Sequence, residues 1–591
     1  MKKLLSMVAI LLCVCVRAAW EVRTETDKDG ARYECFDGDP FSSRVYTLDN
    51  GMKVFLSRNS REPRIQAYVA VRAGSADDPA RSTGLAHYFE HMMFKGNEEI
   101  ASLNWEKEKP LLDEIEELFE RRRASSDSKE REDLYKRIDA LSLEASQYSN
   151  DEYWQLVRGL GADGTNAWTS YDETVYVSDI PRSQLEKFLY LESVRFSSIA
   201  LRRFHTELEA VYEEYNRSRN SDSSRAWDAL MRLTFQEHPY RRPILGDPKD
   251  LKAPSMRDIR RFFQEHYRPD NMALILSGDL DYEETMRLVR KYFNTMRPYS
   301  GESSSSDERS QAAAREPVQN SVRSADVVGP NAEKLLIAYR FEPTLENEMM
   351  LDMAGSVLQN GKCGLFDLDL LLPQKVLSAD AGTLPLRDAL LFCISAAPAP
   401  GQTLEQLRDA ILAELEKLKN GEFDPELPKA VVNNARMSLI SISEDRGNAG
   451  RAMLDSFIRG VALSDQLRML DEQEKLSAAD IAAFARKNFR DNYSIVCKRT
   501  GEPTDLAPQE KPPITPVSVA PGFSQFAHRF VSLPSPPEAD PVFPDFARDL
   551  HKESIRPGLD FYAMKNDWNE RFTLKYEFPA GTLNEKELAL A

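Results

Sequence analysis

The chain has 591 residues, 42% of them hydrophobic, and a formal net charge of -18. At about 150 residues per domain that length calls for roughly four domains or fewer, and the apolar share can bury several cores. The acidic balance argues against general affinity for nucleic-acid phosphates, which needs basic surface, while permitting attraction to basic peptides.

Met1-Lys2-Lys3 followed by the apolar run Leu4 to Val16 reads as an export signal, residues 1–18, with cleavage after Ala18. The run is too short for a comfortable membrane span, which needs about 20 apolar residues, and a membrane anchor is the alternative reading. No later stretch is apolar enough, so no stable span is expected and the location is read as secreted or periplasmic. Cys13 and Cys15 leave with the signal. Cys35, Cys363, Cys393 and Cys497 remain, with no CxxC zinc spacing and no pairing fixed by the sequence.

A polar lead-in runs to about Phe41. Val45 to Leu48 and Met52 to Leu56 flank Asp49-Asn50-Gly51, the pattern of a hairpin. Ile65, Ala67, Val69 and Val71 alternate as in a half-buried strand, and Gly84 to Phe94 reads as a helix. A first domain is expected over 42–300. Inside it, 101–150 is rich in Glu, Lys and Arg. Leu111, Leu112, Ile115, Leu118 and Phe119, then Leu134, Ile138 and Leu141, recur there at helical spacing. The pattern predicts an inserted helical hairpin, in its plainest role a solvated spacer. Gln184 to Ser198, Phe204 to Arg219 and Met256 to Tyr267 read as helices, and Met272 to Leu276 as a strand.

Gly301 to Glu316 is Ser-, Glu- and Ala-rich without an apolar period, which predicts a flexible linker at 301–320. A second α+β domain is expected over 321–499, and a Pro-rich irregular linker over 500–549. From 550 the opening pattern returns at a constant offset. Gly51, Asn59 and Gly74 recur as Gly558, Asn566 and Gly581, and Ala67, Val69 and Val71 as Leu574, Tyr576 and Phe578. The repeat reads as the start of a third domain, 550–591, truncated, in a fragment of a longer protein whose second half repeats the first. The alternative is a degenerate tail that adds strands to an existing sheet.

The chemistry centres on His87-Tyr88-Phe89-Glu90-His91. On a helix, residues i and i+4 share a face, so two imidazoles can hold one metal ion, with Glu90 in reach of a water on it. A carboxylate so placed takes the proton as the water attacks a carbonyl. The bare HxxEH motif also occurs as surface histidines on an exposed helix. A third ligand is available in Glu207-Leu208-Glu209-Ala210-Val211-Tyr212-Glu213-Glu214, where Glu207 and Glu214 lie two turns apart on one face. One can bind metal while the other orients a histidine. The plain alternative is a solvated acidic helix.

Gly84 to Gly96, Asn166-Ala167-Trp168-Thr169-Ser170 with Thr174 and Tyr176, the paired glutamates, His238-Pro239-Tyr240, and Tyr267 through Asp279 resemble, in that order, the insulinase/pitrilysin family of zinc metallopeptidases. The resemblance implies tandem α+β domains, each a mostly antiparallel sheet with helices packed on one face, like mitochondrial processing peptidase, plus the inserted hairpin. It implies zinc as cofactor, with His87, His91 and Glu214 as ligands, Glu213 the rival to Glu214, Glu207 as supporting acid and Glu90 as general base. Asn166, Ala167, Trp168 and Thr169 match the edge strand on which family members lay an extended peptide. The implied partners are peptide substrates, and either a homo-oligomer or a missing C-terminal half. An arginine and a tyrosine of the far half, which complete the site in the family, would lie beyond Ala591. Two rival functions follow: a catalytically incomplete binding or assembly subunit, or a structural zinc site with a fourth protein ligand. His205, His238, His266, His528 and His551 are candidates for that fourth ligand by residue type alone.

Overall fold

Apolar runs from the first 280 residues assemble into one eight-stranded sheet. Its strands are β1 (Arg23–Thr26), β2 (Arg32–Cys35), β3 (Ser43–Thr47), β4 (Lys53–Arg58), β5 (Arg64–Val71), β6 (Asp163–Thr169), β7 (Thr174–Pro181) and β8 (Met272–Gly278). The spatial order is β1-β2-β3-β4-β8-β5-β7-β6, and every pair but β4/β8 is antiparallel. This computed structural model describes residues 20–297, 305–503, 514–537, 543, 545–566, 569 and 571–579. The expected export signal and Gly581 lie outside them.

The lead-in before Phe41 is not irregular. The Asp27 carboxylate accepts the N–H groups of Asp29 and Ala31, turning β1 into β2, and Ala31 and Tyr33 are buried. The first domain therefore begins before residue 42. The strand β5 is also more deeply placed than its alternation suggests. Ile65, Ala67, Val69 and Val71 face the main core, while Tyr68 and Ala70 face a second one.

The main core is closed by helices α1 (Leu85–Met92), α2 (Trp105–Ala124), α3 (Ser128–Ala145), α4 (Phe204–Asn220) and α6 (Met256–His266), whereas α5 (Asp222–Thr234) packs its Ala226 and Leu230 on Ala338 and Val496 of the second domain. Of these, α2 and α3 are the inserted hairpin. They turn at Asp127, whose side chain accepts the N–H groups of Lys129 and Glu130. The hairpin is more than a solvated spacer, because Leu112, Ile115, Phe119, Leu134, Ile138 and Leu141 join the main core. Its charged anchor is Glu108, fully buried against Arg202 at 2.8 Å. Arg202 also donates to the carbonyls of Lys95, Asn97 and Ile100, so one guanidinium ties the insert to the chain leaving α1.

The segment expected to be a flexible linker contains α7 (Ser305–Arg315). It has no apolar period because its anchor is a charge: Arg309, 3% exposed, lies among Asp77, Asp172 and Asp388.

The second domain repeats the first. Its strands β9 (Arg323–Gly329), β10 (Lys334–Phe341), β11 (Val376–Pro385), β12 (Leu390–Pro398) and β13 (Tyr493–Thr500) take the order β11-β12-β10-β13-β9. That is β6-β7-β5-β8-β4 over again, with β9/β13 parallel where β4/β8 is parallel. Helix α8 (Leu345–Leu358) follows β10 as α1 follows β5, but it carries no histidine. From this domain α9 (Arg446–Arg459) crosses to the free face of the first sheet. Ala449, Met453, Leu454 and Phe457 pack there on Phe55, Tyr68, Ala70 and Ile275. A second link is Asp222 at the start of α5, which meets Lys498 of β13 at 2.8 Å and the N–H of Asn331 at 2.9 Å.

The Pro-rich segment is likewise not wholly irregular. Ser524 caps α10 (Gln525–Ser532), whose Phe526 and Phe530 enter the main core, and the Ser524 N–H donates to Glu152 at 2.8 Å. Residues from Pro537 onward form a separate unit. The expected hairpin is present there as β14 (His551–Arg556) and β15 (Leu559–Ala563). Leu574, Tyr576 and Phe578 form no strand and are 59%, 74% and 76% exposed. None of Cys35, Cys363, Cys393 and Cys497 is disulfide-bonded. Among the described residues no helix is long and apolar enough to cross a membrane.

Two stability outcomes follow. Glu108→Ala strands a buried guanidinium and should cost about 3–5 kcal/mol in urea unfolding. For Asp222, burial pushes the carboxyl up, but bonds from Lys498, Asn331 and Arg225 outweigh it and bring it down from 3.8 to about 2. A depressed carboxyl stabilises the fold above its unfolded value and ceases to do so as pH falls through the folded value. Asp222→Asn should therefore lose about 2 kcal/mol at neutral pH. The gap to the parent protein should close between pH 3.8 and about 2.

Candidate metal centre

Helix α1 starts where the backbone is tightly met. Gly84 has φ +79°, and a Cβ there would lie 2.5 Å from the Leu245 carbonyl oxygen. The Asp78 carboxylate accepts the Gly84 and Ala86 N–H groups at 2.7 and 2.8 Å, satisfying first-turn donors. Apolar residues fix the rotation of the helix. Phe89 meets Tyr267 edge-on at 4.7 Å between centroids, and Tyr88 stacks on Phe204 at 4.6 Å. The Tyr88 hydroxyl donates to the Phe204 carbonyl, which locks α1 to the first residue of α4.

That docking turns the polar faces of α1 and α4 towards each other. His87 and His91 lie side by side, with ring centroids 4.8 Å apart. Glu214 Oε2 sits 3.2 Å from His87 Nε2 and 3.5 Å from His91 Nε2. Two turns earlier Glu207 accepts from His91 Nδ1 at 2.9 Å and meets Lys95 Nζ at 2.6 Å. Glu213 is exposed and outside the cluster. Glu90 points from the same helix to β6, where the Thr169 hydroxyl donates to its Oε2 at 2.7 Å.

The charges follow from these contacts. Hydrogen bonds from His87 and His91 hold Glu214 well below the usual carboxylate range. Burial pulls the His91 imidazolium down, but the bonds to Glu207 and Glu214 outweigh it and hold it at about 9. Burial raises Glu90, partly offset by the Thr169 bond.

The donor set fits a zinc ion. At about 2.0–2.1 Å from a tetrahedral zinc, two ligand atoms stand about 3.3 Å apart. Both imidazole-to-carboxylate separations match that spacing, and all three ligand atoms lie within 4.8 Å of one another. Among the described residues this is the one such group. Glu207 beneath His91 supplies the outer hydrogen bond that orients a metal-bound imidazole. The other histidines are elsewhere: His205 bonds Asp139, His238 bonds Asp388, His266 packs on Phe262, His528 faces Phe523 and His551 is exposed on β14.

Strand β6 is the edge of its sheet, paired only with β7 through Asn166/Val177, Ala167/Tyr176, Trp168/Val175 and Thr169/Thr174. Ala167 and Thr169 face the α1 side, while Trp168 packs near Tyr68 and donates to Glu173 at 2.8 Å. Two contributions were not anticipated from sequence: the Thr169 bond to Glu90 and the Lys95 bond to Glu207. Lys95 was detectable, since it lies one turn beyond His91.

Zinc titration against a chromophoric chelator should separate these roles. Glu214→Ala should abolish stoichiometric binding, Glu207→Ala should weaken it about 10- to 100-fold, and Glu213→Ala should leave it unchanged.

Comparison with known proteins gives one consistent result. The sequence matches the insulinase (peptidase family M16) profile over residues 53–112 and 139–248, and the peptidase M16 inactive domain profile over 255–435. The zinc protease PqqE of Helicobacter pylori is 24% identical over 463 residues, covering 76% of this chain and 90% of that protein. A protease from Helicobacter pylori of known structure superposes with a TM-score of 0.62 at 22% identity, over 77% of this chain and 99% of that one. The periplasmic protease PqqL from Escherichia coli superposes with a TM-score of 0.58 at 14% identity, over 89% of this chain but only 56% of that one. With two such domains in tandem, the first with the histidine pair and the second without, the chain belongs to the insulinase family of peptidases, M16.

Proposed function

We propose that the chain is a zinc-dependent endopeptidase acting on short or unfolded peptides in a secreted or periplasmic location. The observation that carries this reading is the meeting of His87, His91 and Glu214 beside a buried Glu90 and an open strand edge. His87, His91 and Glu214 would hold the ion, and Glu207 would keep His91 turned towards it. When bound, zinc supplies the Lewis acidity that activates water and polarises a carbonyl. The free edge of β6 pairs with an extended peptide backbone, which favours unfolded substrates over folded ones. Thr169 fixes one Glu90 oxygen and leaves the other to take a proton from the attacking water. Glu90 then returns that proton to the leaving amine.

A second reading, a peptide-binding or assembly subunit without cleavage, draws on one fact: the chain spans about half the length of the PqqL structure. On that reading a separate half or a second copy completes the site.

Glu90→Gln should retain zinc and lose cleavage of an unstructured fluorogenic peptide by at least about 100-fold, the scale of a general base. Chelation should abolish cleavage by the parent protein and zinc should restore it. Cleavage that survives the chelator would remove the metal from the mechanism, and binding without turnover would favour the second reading.

A further inference from the structure

Arg309 lies at a junction that the proposed reaction does not explain. Its Nη1 meets both oxygens of Asp77 at 3.2 Å, its Nε meets Asp388 at 2.5 Å, and its Nη2 donates to Asp172 and, at 2.9 Å, to the Tyr240 hydroxyl. Asp77 and Asp172 are 4% and 5% exposed. Three elements otherwise separate in sequence meet at this one side chain. Asp172 is in the β6–β7 turn, Asp388 is in the β11–β12 turn of the second domain, and Asp77 is in the short helical turn after β5.

The cluster is braced on every side. Asp172 also accepts the Tyr240 hydroxyl and the Arg387 N–H, both at 2.9 Å or less. His238 bonds Asp388 at 3.1 Å, and Arg387 adds charge 4.0 Å from Asp77. The Ser75 and Ala76 N–H groups donate to the Ser170 and Tyr171 carbonyls, and a Cβ on Gly74 would lie 2.4 Å from that Ser170 oxygen. Glu316, just past α7, pins the helix by accepting the N–H groups of Gln236, Glu237 and His238. The guanidinium is the central cation of this group. Without it two buried carboxylates, Asp77 and Asp172, and the half-buried Asp388 face one another.

The consequence lies three residues away. Asp172 lies in the turn that joins Thr169 of β6 to Thr174 of β7, and Thr169 holds Glu90. We propose that Arg309, delivered by the segment between the two domains, is a positioning residue for peptide cleavage. By gripping Asp172 it fixes the end of strand β6 and the Thr169 hydroxyl relative to Glu90. The inference rests on the peptidase reading. It differs from a general stabilising role in predicting a defect confined to β6 and Glu90 with the zinc site intact.

The test uses R309A in the full chain. The variant should bind zinc as the parent does, lose about 10- to 100-fold in kcat on an unstructured peptide, and regain part of it with millimolar guanidinium but not with sodium chloride of equal ionic strength. R309K keeps the charge but cannot bridge three carboxylates, so it should fall between. Amide exchange of residues 163–175 should accelerate in R309A by more than the variant's loss of global stability accounts for. Unchanged kcat in zinc-loaded R309A, or a loss that guanidinium does not restore, overturns the proposal. If the parent protein cleaves nothing, the peptidase reading fails alone, and exchange then decides: equal rates at 163–175 in R309A and parent overturn the clasp. If R309A does not fold, Asp388→Asn, which removes a single partner, is put through the zinc, kcat and exchange assays with the same expected signs. Guanidinium should not rescue it, because the Arg309 side chain is still in place, and an unchanged kcat or unchanged exchange at 163–175 overturns the proposal.

Discussion

An ionised carboxylate inside a protein has to be met by hydrogen-bond donors or by a cation, and this chain places buried or half-buried carboxylates at several of its junctions. Glu108 is met by Arg202, Asp222 by Lys498, and Asp77, Asp172 and Asp388 by Arg309. In each case a guanidinium or ammonium answers the charge, and the pair holds two parts of the chain together. The candidate metal centre obeys the same rule with different donors. Glu207 has Lys95 and His91, whereas Glu214 has two imidazole nitrogens at spacings suited to an ion between them. The contrast in partners separates a candidate supporting acid, Glu207, from a candidate ligand, Glu214, on the same helix face.

Burial also sorts Glu214 from Glu90. Glu214 is 41% exposed at its side chain and is held low by its imidazole neighbours. Glu90 is raised by burial and touches Thr169 rather than a cation. A group whose proton affinity is raised suits proton transfer, and one whose affinity is depressed suits coordination.

Much of this was legible in the sequence because it rests on local periodicity. The spacing of His87 and His91, the two-turn spacing of Glu207 and Glu214, and the amphipathic insert all follow from 3.6 residues per turn. Elements that depend on distant partners were hidden. Helix α7 has no apolar stripe, because it is anchored by Arg309 and Glu316 instead. Helix α10 is short and sits in Pro-rich surroundings, although Ser524 followed by Phe526 and Phe530 one turn apart is a readable cap-and-stripe signal. Alternation in β5 marked one buried face correctly. It could not show the other, because Tyr68 and Ala70 are covered by α9, which lies almost 400 residues along the chain.

That last contact gives a physical reason for the histidine-free second domain. The first sheet presents Phe55, Tyr68, Ala70, Val175 and Ile275 on the face away from α1. Each large apolar side chain left in water forgoes about 1.5–3 kcal/mol of burial. Helix α9 covers that face with Ala449, Met453, Leu454 and Phe457, and the Arg72 guanidinium lies 4.5 Å above the Phe457 ring. The same strand β5 leads directly through Gly74 to the turn that abuts Ser170 and on to α1. The duplicated domain has thus kept its sheet order without the histidine pair, while its α9 helix packs against the face of the first sheet opposite the helix that carries His87 and His91. Any role it has in peptide cleavage would then pass through the rigidity of β5 and β7, or through Asp388 and Arg309 to Asp172, before reaching His87 and Thr169.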